Sequence, residues 1–247
     1  MKKEVASTDQ GRSDVAWAPV GRSEPPRDDG PLVLALPKGR VLKAIAALLG
    51  EIGVDASAPL SDSRKLVFDL GGDARVGGPF RALVVRGMDV PAYVEGGAAD
   101  VGVAGLDVIR EHGGELFEPL DLGLGRCRLV VAEPADRPPR DGALARLRVA
   151  TKYPEITHAY FLGRGEQVDV IALHGAIELA PLVGLSDRIV DLVESGETLR
   201  QNNLRVVEEI AQITSRVIVS RVSLKTRAVR VRALLTALGA ALARRQT

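Results

Sequence analysis

Between Ser186 and Arg200 the chain reads Ser-Asp-Arg-Ile-Val-Asp-Leu-Val-Glu-Ser-Gly-Glu-Thr-Leu-Arg. Ile189 to Val193 has the apolar character of a short buried strand carrying one acid, Asp191. Glu194-Ser195-Gly196-Glu197-Thr198 follows as a turn rich in backbone and hydroxyl donors. A central Gly allows close approach of backbone to a ligand, and successive N–H groups in such a turn form a nest that suits a phosphate. An acid just upstream suits ribose hydroxyls or a magnesium ion, which prefers hard oxygen ligands. The alternative for the same residues is an ordinary Ser-Gly turn after a strand, since short Gly motifs recur without function. Glu197 would repel a phosphate, so its side chain is expected to point away.

Further charges sit where strand-like runs stop: Lys38-Gly39-Arg40, Arg86-Gly87-Met88-Asp89, Gly105-Leu106-Asp107, Thr151-Lys152-Tyr153-Pro154 and His174-Gly175. In open α/β sheets ligands bind beyond the carboxyl ends of strands. A cleft lined by Lys38, Arg40, Arg86 and Lys152 would hold a polyanion, favouring a nucleotide or sugar phosphate over an apolar ligand. Glu178 lies on an apolar helical run and faces either the cleft or solvent. His112, His158 and His174 are scattered and make no metal spacing. Gly-x-Ser-x-Gly, His-Glu-x-x-His and Walker patterns are absent from the sequence.

The elements that must position these residues alternate. Leu32–Leu36 is a continuous apolar run, as in a buried parallel strand. Val41, Leu42, Ile45, Leu48, Leu49 and Ile52 follow at helical spacing. Strands are expected at 65–70, 81–86, 101–104, 147–150, 168–173 and 188–193. Helices are expected at 90–96, capped by Asp89, at 108–112, capped by Asp107, and at 156–162 and 176–182. Extended segments at 116–122 and 127–132, and a return near 203–215, would cross between two lobes. Arg137–Arg140 reads as a loop. A last helix near 225–244 puts Val231, Leu234, Leu235, Leu238 and Leu242 on one face, with Arg227 and Arg230 towards the other. The pattern predicts an α/β fold with mostly parallel sheet.

Of the 247 residues, 46 % are apolar and 26 % charged, ordinary for a globular protein. Net charge is +1, yet no Asp or Glu follows Glu209 while eight Arg and Lys do. That asymmetry reads as a solvated helix face, with nucleic-acid and membrane binding as the disfavoured alternatives. One cysteine, Cys127, excludes an internal disulfide. Residues 1–30 read as a disordered leader without a secretory signal, and no apolar run is long enough to cross a bilayer, so the expected compartment is the cytoplasm.

Taken in order, these segments resemble the ATP phosphoribosyltransferases of histidine biosynthesis. The resemblance is carried by Ala35–Arg40, Arg86–Glu95, Ala99–Asp107, Ala150–Pro154 and Gly175–Leu199, and extends from Leu32 to about Val222. It implies a two-lobed fold like that of type II periplasmic binding proteins, with lobe I from 31–118 and 206–247 and lobe II from 119–205. It implies condensation of ATP, through N1, with phosphoribosyl pyrophosphate, and a requirement for Mg2+ whose ligands it leaves unknown. Asp191, Glu194, Ser195, Gly196, Glu197, Thr198 and Leu199 fall on the phosphoribosyl pyrophosphate site. Asp107, Tyr153, Arg86 and Arg40 fall on the ATP side, and Asp191, Glu178 and Lys38 on the catalytic centre. Gly87 stands where the family usually has Pro, and Gln201-Asn202-Asn203 replaces a more usual Asn-Gly. The chain stops after one helix, like the short form, which works with a regulatory subunit resembling histidyl-tRNA synthetase around a homodimeric core. A cytoplasmic solute-binding or sensor protein of the same fold is the alternative, since fold does not fix function.

Overall fold

The computed structural model describes residues 30–61, 64–136 and 146–246. The expected loop at 137–140 and all of the expected leader except Gly30 lie outside the described residues. The first half runs β1 (Leu32–Pro37), α1 (Arg40–Glu51), β2 (Val67–Gly71), β3 (Phe80–Val85), α2 (Val90–Glu95), β4 (Val101–Gly105) and α3 (Leu106–His112). The long strand β5 (Phe117–Pro134) leads to β6 (Leu147–Thr151), α4 (Pro154–Gly163), β7 (Val168–Ala172), α5 (Leu179–Leu182), β8 (Arg188–Val193) and α6 (Glu197–Gln201). A second long strand, β9 (Leu204–Val219), returns to α7 (Arg221–Thr226) and α8 (Ala228–Gln246).

The result is a two-lobed α/β fold through which one nine-stranded sheet passes, in the order β2-β3-β1-β4-β9-β5-β8-β6-β7. Each half is parallel at its centre, β3-β1-β4 in the first and β8-β6-β7 in the second. Antiparallel pairing comes with β2 and with the two long strands. The two extended segments expected at 116–122 and 127–132 are one strand, because β9 pairs with it from Phe117↔Val219 to Pro134↔Leu204. Five register shifts interrupt that ladder, and bulges of this kind bend a strand and raise its twist.

Alternation along the strands sorts the core. Leu32, Leu34 and Leu36 of β1 pack with α1 and α8, while Val33 and Ala35 face Val90, Val94 and Val108. In the second half Ile189 and Val193 of β8 meet Ile177 and Leu199, whereas Val190 joins Tyr153 and Phe161. Burial of Val231, Leu234 and Leu238, with Leu235 and Leu242 packed beside them, places α8 on the first-half core as its apolar face predicts. That burial is the main stabilising term for such a helix.

Four local expectations are corrected. The last helix is two, α7 and α8, and Arg227 at their junction is buried instead of solvated: Nη1 donates to Asp100 Oδ2 at 3.0 Å and to the Pro31 carbonyl at 2.8 Å. Arg230 likewise turns inward, donating to the Gly77 and Pro79 carbonyls at 2.9 Å each. Only Leu179–Leu182 of the expected helix at 176–182 is helical, because Ala176 takes a left-handed φ of 48° that sends Ile177 into the core. Asp89 stands at the N-cap of α2, at the end of a 3-10 turn over Gly87–Asp89, but its side chain makes no cap bond, and Asp107 is not the N-cap of α3, which starts at Leu106.

Candidate active site

Strand β8 is paired on both sides, by β5 and β6, which leaves Asp191 only 8 % exposed. Its Oδ1 accepts the Leu192 N–H at 2.8 Å. After Val193 the chain turns at Gly196, whose φ of 82° and ψ of −2° are left-handed, and α6 begins with this glycine as its N-cap, which has no side chain to cap it. Leu199, 5 % exposed, anchors that helix in the core. Glu197 turns its carboxylate to Arg200, at 2.9 and 2.7 Å, and to Gln201 at 2.8 Å. It therefore presents backbone to the turn, where its N–H reaches Ser195 Oγ at 3.4 Å. Asp191, Glu194, Ser195, Gly196, Thr198 and Leu199 line one cavity of about 290 Å³, together with Glu178 from the start of α5 and Arg40 from the first half. The hydroxyls and N–H groups of this turn, with the acid beneath them, can hold a phosphorylated sugar by its phosphate and its hydroxyls.

A second cluster joins the halves. Asp107, in the first turn of α3, is 5 % exposed and accepts the Tyr153 hydroxyl at 2.9 Å through Oδ2. Tyr153 is itself held tightly. Its N–H donates to Thr151 Oγ1 at 2.9 Å, that hydroxyl donates to the Val190 carbonyl at 2.8 Å, and Thr157 donates to the Tyr153 carbonyl at 2.7 Å. Burial pushes the Asp107 carboxyl above its ordinary range, against the opposing bond from Tyr153. Burial, then the Asp107 charge, raises the Tyr153 phenol, so it stays a proton donor. Asp191 is raised by burial too, opposed by the Leu192 N–H and the field of Lys152, while Glu178 and Asp107 add to the rise.

The cations stand at the rim. Arg40, at the start of α1, reaches across to Glu194 at 2.9 Å, with both side chains largely in solvent. An exposed pair of this kind contributes little to stability. Lys38 and Arg86 leave the sheet side by side, since Pro37 is in register with Val85 and the Lys38 N–H donates to the Val85 carbonyl at 2.8 Å. Both side chains are exposed, and neither is among the residues lining the cavity at the β8 turn.

Several residues that the sequence did not mark stand beside this site. Arg126 and Cys127 line a second cavity of about 350 Å³ that shares Arg40, Leu192 and Glu194 with the first. Burial, with the charges of Asp107 and Glu194, pushes the Cys127 thiol up to about 11, so it is protonated at neutral pH. The available signal was the glycine pair Gly123 and Gly125, both at φ 63°, where β5 bulges against β9. A Cβ on Gly125 would lie 3.2 Å from Val41 Cγ2, so the bulged strand packs directly under α1. Thr151 lay within a recognised loop tip, but its role as a bridge depends on the neighbouring strand.

Comparison with known proteins bears on this geometry. The ATP phosphoribosyltransferase family model, HisG, matches residues 86–240. A protein of Geobacter metallireducens named ATP phosphoribosyltransferase is 52 % identical over 198 residues, covering 79 % of this chain and 91 % of its own. Among solved structures, the ATP phosphoribosyl transferase (HisG:HisZ) complex from Thermotoga maritima matches with TM-score 0.72 and 34 % identity, covering 86 % of this chain and 99 % of the matched one. The periplasmic aliphatic sulphonate binding protein SsuA from Escherichia coli, at 16 % identity and TM-score 0.51 over 86 % of this chain and 72 % of its own, shares the fold alone.

Proposed function

The chain belongs to the ATP phosphoribosyltransferase family, and from that premise we infer how its cleft divides the work of the reaction. In that reaction N1 of ATP attacks C1 of phosphoribosyl pyrophosphate. The new N–C bond forms as the C–O bond to pyrophosphate breaks, giving phosphoribosyl-ATP and pyrophosphate in the first step of histidine biosynthesis. Lobe I, from 31–118 and 206–247, carries the cationic rim and Asp107. Lobe II, 119–205, carries the sugar-phosphate turn.

The observation that carries this division is the cavity at the β8 turn, with buried Asp191 at its foot and Ser195, Gly196 and Thr198 along its wall. Ser195, Gly196, Thr198 and the backbone at Glu194, Glu197 and Leu199 receive the 5-phosphate, and Asp191 accepts from the ribose hydroxyls. Asp107 and Tyr153 form the purine side, with Arg40 and Arg86 meeting the ATP phosphates. Lys38 and Glu178 flank the reacting centre. ATP N1 carries no proton before attack, so no general base is needed. Charge develops instead as an oxocarbenium-like ribose and a departing pyrophosphate anion, and positioning with neutralisation can supply most of the rate.

The family's reaction uses a metal ion. Among the described residues no three His, Cys, Asp or Glu side chains converge on one point. The chain therefore offers a hard cation one or two carboxylates, with substrate phosphate oxygens completing its shell, which is how magnesium is commonly bound. Asp191, whose Oδ1 is already engaged by Leu192, and Glu178 are the residues that would hold Mg2+, and the ion would neutralise the leaving pyrophosphate.

We place the protein in the cytoplasm, as a homodimeric core with a regulatory partner of the HisZ kind; no helix among the described residues is long and apolar enough to cross a membrane. The direct test mixes the purified chain with ATP, phosphoribosyl pyrophosphate and magnesium, with and without such a partner, and follows phosphoribosyl-ATP by absorbance. Ligand binding without pyrophosphate release under both conditions would instead mark a solute sensor.

A further inference from the structure

Two carboxylates leave α3 one turn apart, Asp107 and Glu111, and residues at that spacing share a helix face. Both end on the start of α4. Asp107 takes the Tyr153 hydroxyl at 2.9 Å. Glu111 spreads its two oxygens over the backbone: Oε1 accepts the Glu155 N–H at 3.1 Å and Oε2 the Ile156 N–H at 3.1 Å. Helix α4 needs this help. Its N-cap is Tyr153, which makes no side-chain cap bond, and Pro154 at its first position has no N–H to offer. The next two N–H groups would otherwise be orphans of the helix start. They are satisfied by a carboxylate from the other half of the chain, where the helix dipole also favours negative charge. The neighbours of Glu111 on α3 are engaged elsewhere: Arg110 with Glu118, and His112 with Glu95 at 2.6 Å.

We propose that Glu111 is a positioning residue for the ATP side of the cleft: by capping α4 across the two halves it fixes the Tyr153 hydroxyl on Asp107. Glu111 lines a separate depression with Glu155, Ile156 and Tyr160, so it acts through Tyr153 and touches no substrate. This role rests on the assignment of Asp107 and Tyr153 to ATP, and the test separates the two.

The test measures kcat and the KM for each substrate in Glu111→Ala, Glu111→Gln, Tyr153→Phe and the double variant Glu111→Ala/Tyr153→Phe. Loss of the cap raises the KM for ATP by about fivefold, the factor one helix cap is worth, while kcat and the KM for phosphoribosyl pyrophosphate hold within about twofold. Glu111→Gln keeps one acceptor and falls between the two. The double variant is no worse than the more affected single variant, because both lose the same placement. An equal rise in both KM values, or effects that multiply in the double variant, would show a merely structural role and overturn the proposal. If Tyr153→Phe moves the KM for ATP and neither Glu111 variant does, the role of Glu111 alone falls. If Tyr153→Phe leaves that KM unmoved, the ATP-side assignment falls and the proposal with it.

Discussion

Replacing Gly196 separates the two things its turn would supply under the proposed assignment, a left-handed backbone and a position without charge beside a phosphate. A Cβ at this position would meet nothing closer than Val193 Cγ1 at 3.9 Å, so space is available. The φ of 82° is the difficulty, and it costs an ordinary residue about 1 kcal/mol or somewhat more. Asn tolerates this region better than most residues. Gly196→Asn is therefore the shape control and Gly196→Asp its charged counterpart. Two unit charges about 4 Å apart interact by roughly 1 kcal/mol in bulk water and roughly 4 kcal/mol at an effective permittivity of 20. Gly196 is half-buried, so roughly 2 kcal/mol per unit charge is appropriate, and a phosphate carries about −1.5 to −2. The aspartate should then weaken phosphoribosyl pyrophosphate binding by about 3 to 4 kcal/mol relative to the asparagine, or roughly two to three powers of ten. Titration calorimetry with the magnesium salt gives the affinities, and matched thermal melts confirm that both variants fold. Affinities for the two variants within about threefold of each other would refute the phosphate assignment, since that gap is far below the charge effect.

Asp191→Asn should lower kcat more than it alters ATP affinity, and an unchanged rate would remove Asp191 from the chemistry. The same variant should melt higher than the parent near neutral pH. Burial raises the folded-state titration of Asp191, so its favourable contribution is complete below the unfolded value and lost as pH rises through the folded one. The gap in melting temperature should therefore close as pH falls towards about 4; a gap independent of pH would contradict the burial effect. Arg227→Met should leave Asp100 charged and buried without its ion pair, costing about 3 to 5 kcal/mol and lowering the melting temperature by about 10 °C. Adding Asp100→Asn should restore much of that loss, and a double variant as unstable as Arg227→Met would show that packing, and not charge, is responsible.

What the sequence disclosed follows from what is local. Leu32, Leu34 and Leu36 form a strand face whatever the rest of the chain does, and the apolar stripe of α8 from Val231 to Leu242 needs only its own periodicity. The β8 turn was legible for the same reason, because acid, glycine and hydroxyls are consecutive. Asp107 and Tyr153 were named through family resemblance, but not the bond between them, which depends on how α3 meets α4. Arg227 was misplaced because a helical wheel cannot show a break, and the break is what turns its guanidinium towards Asp100, just before β4. Cys127 and Arg126 were passed over since their position depends on register shifts between β5 and β9, which no window of one strand records. The left-handed Ala176 shortened α5 against its apolar pattern, a case of tertiary packing overriding propensity.

Three buried aspartates show how function and structure can be told apart in this chain. Asp100 is answered by a buried counter-ion: it accepts from Arg227, Ser223 and the Val33 N–H, so its charge is balanced within the fold. Asp107 and Asp191 are equally shielded from water, yet the bonds to them come from neutral donors, a tyrosine hydroxyl and backbone N–H groups. Their carboxyl groups are pushed up by burial, and the charge of Asp107 adds to the rise of Asp191. Among the described residues neither carboxylate has a bonded counter-ion, Lys152 acting on Asp191 only through its field, so each desolvated charge is a net cost to folding. The cost is recovered when something brings hydroxyls, an amino group or a cation to them. One acid stands on each half of the chain, so under the proposed assignment the ribosyl donor and the purine acceptor are each met by one of them.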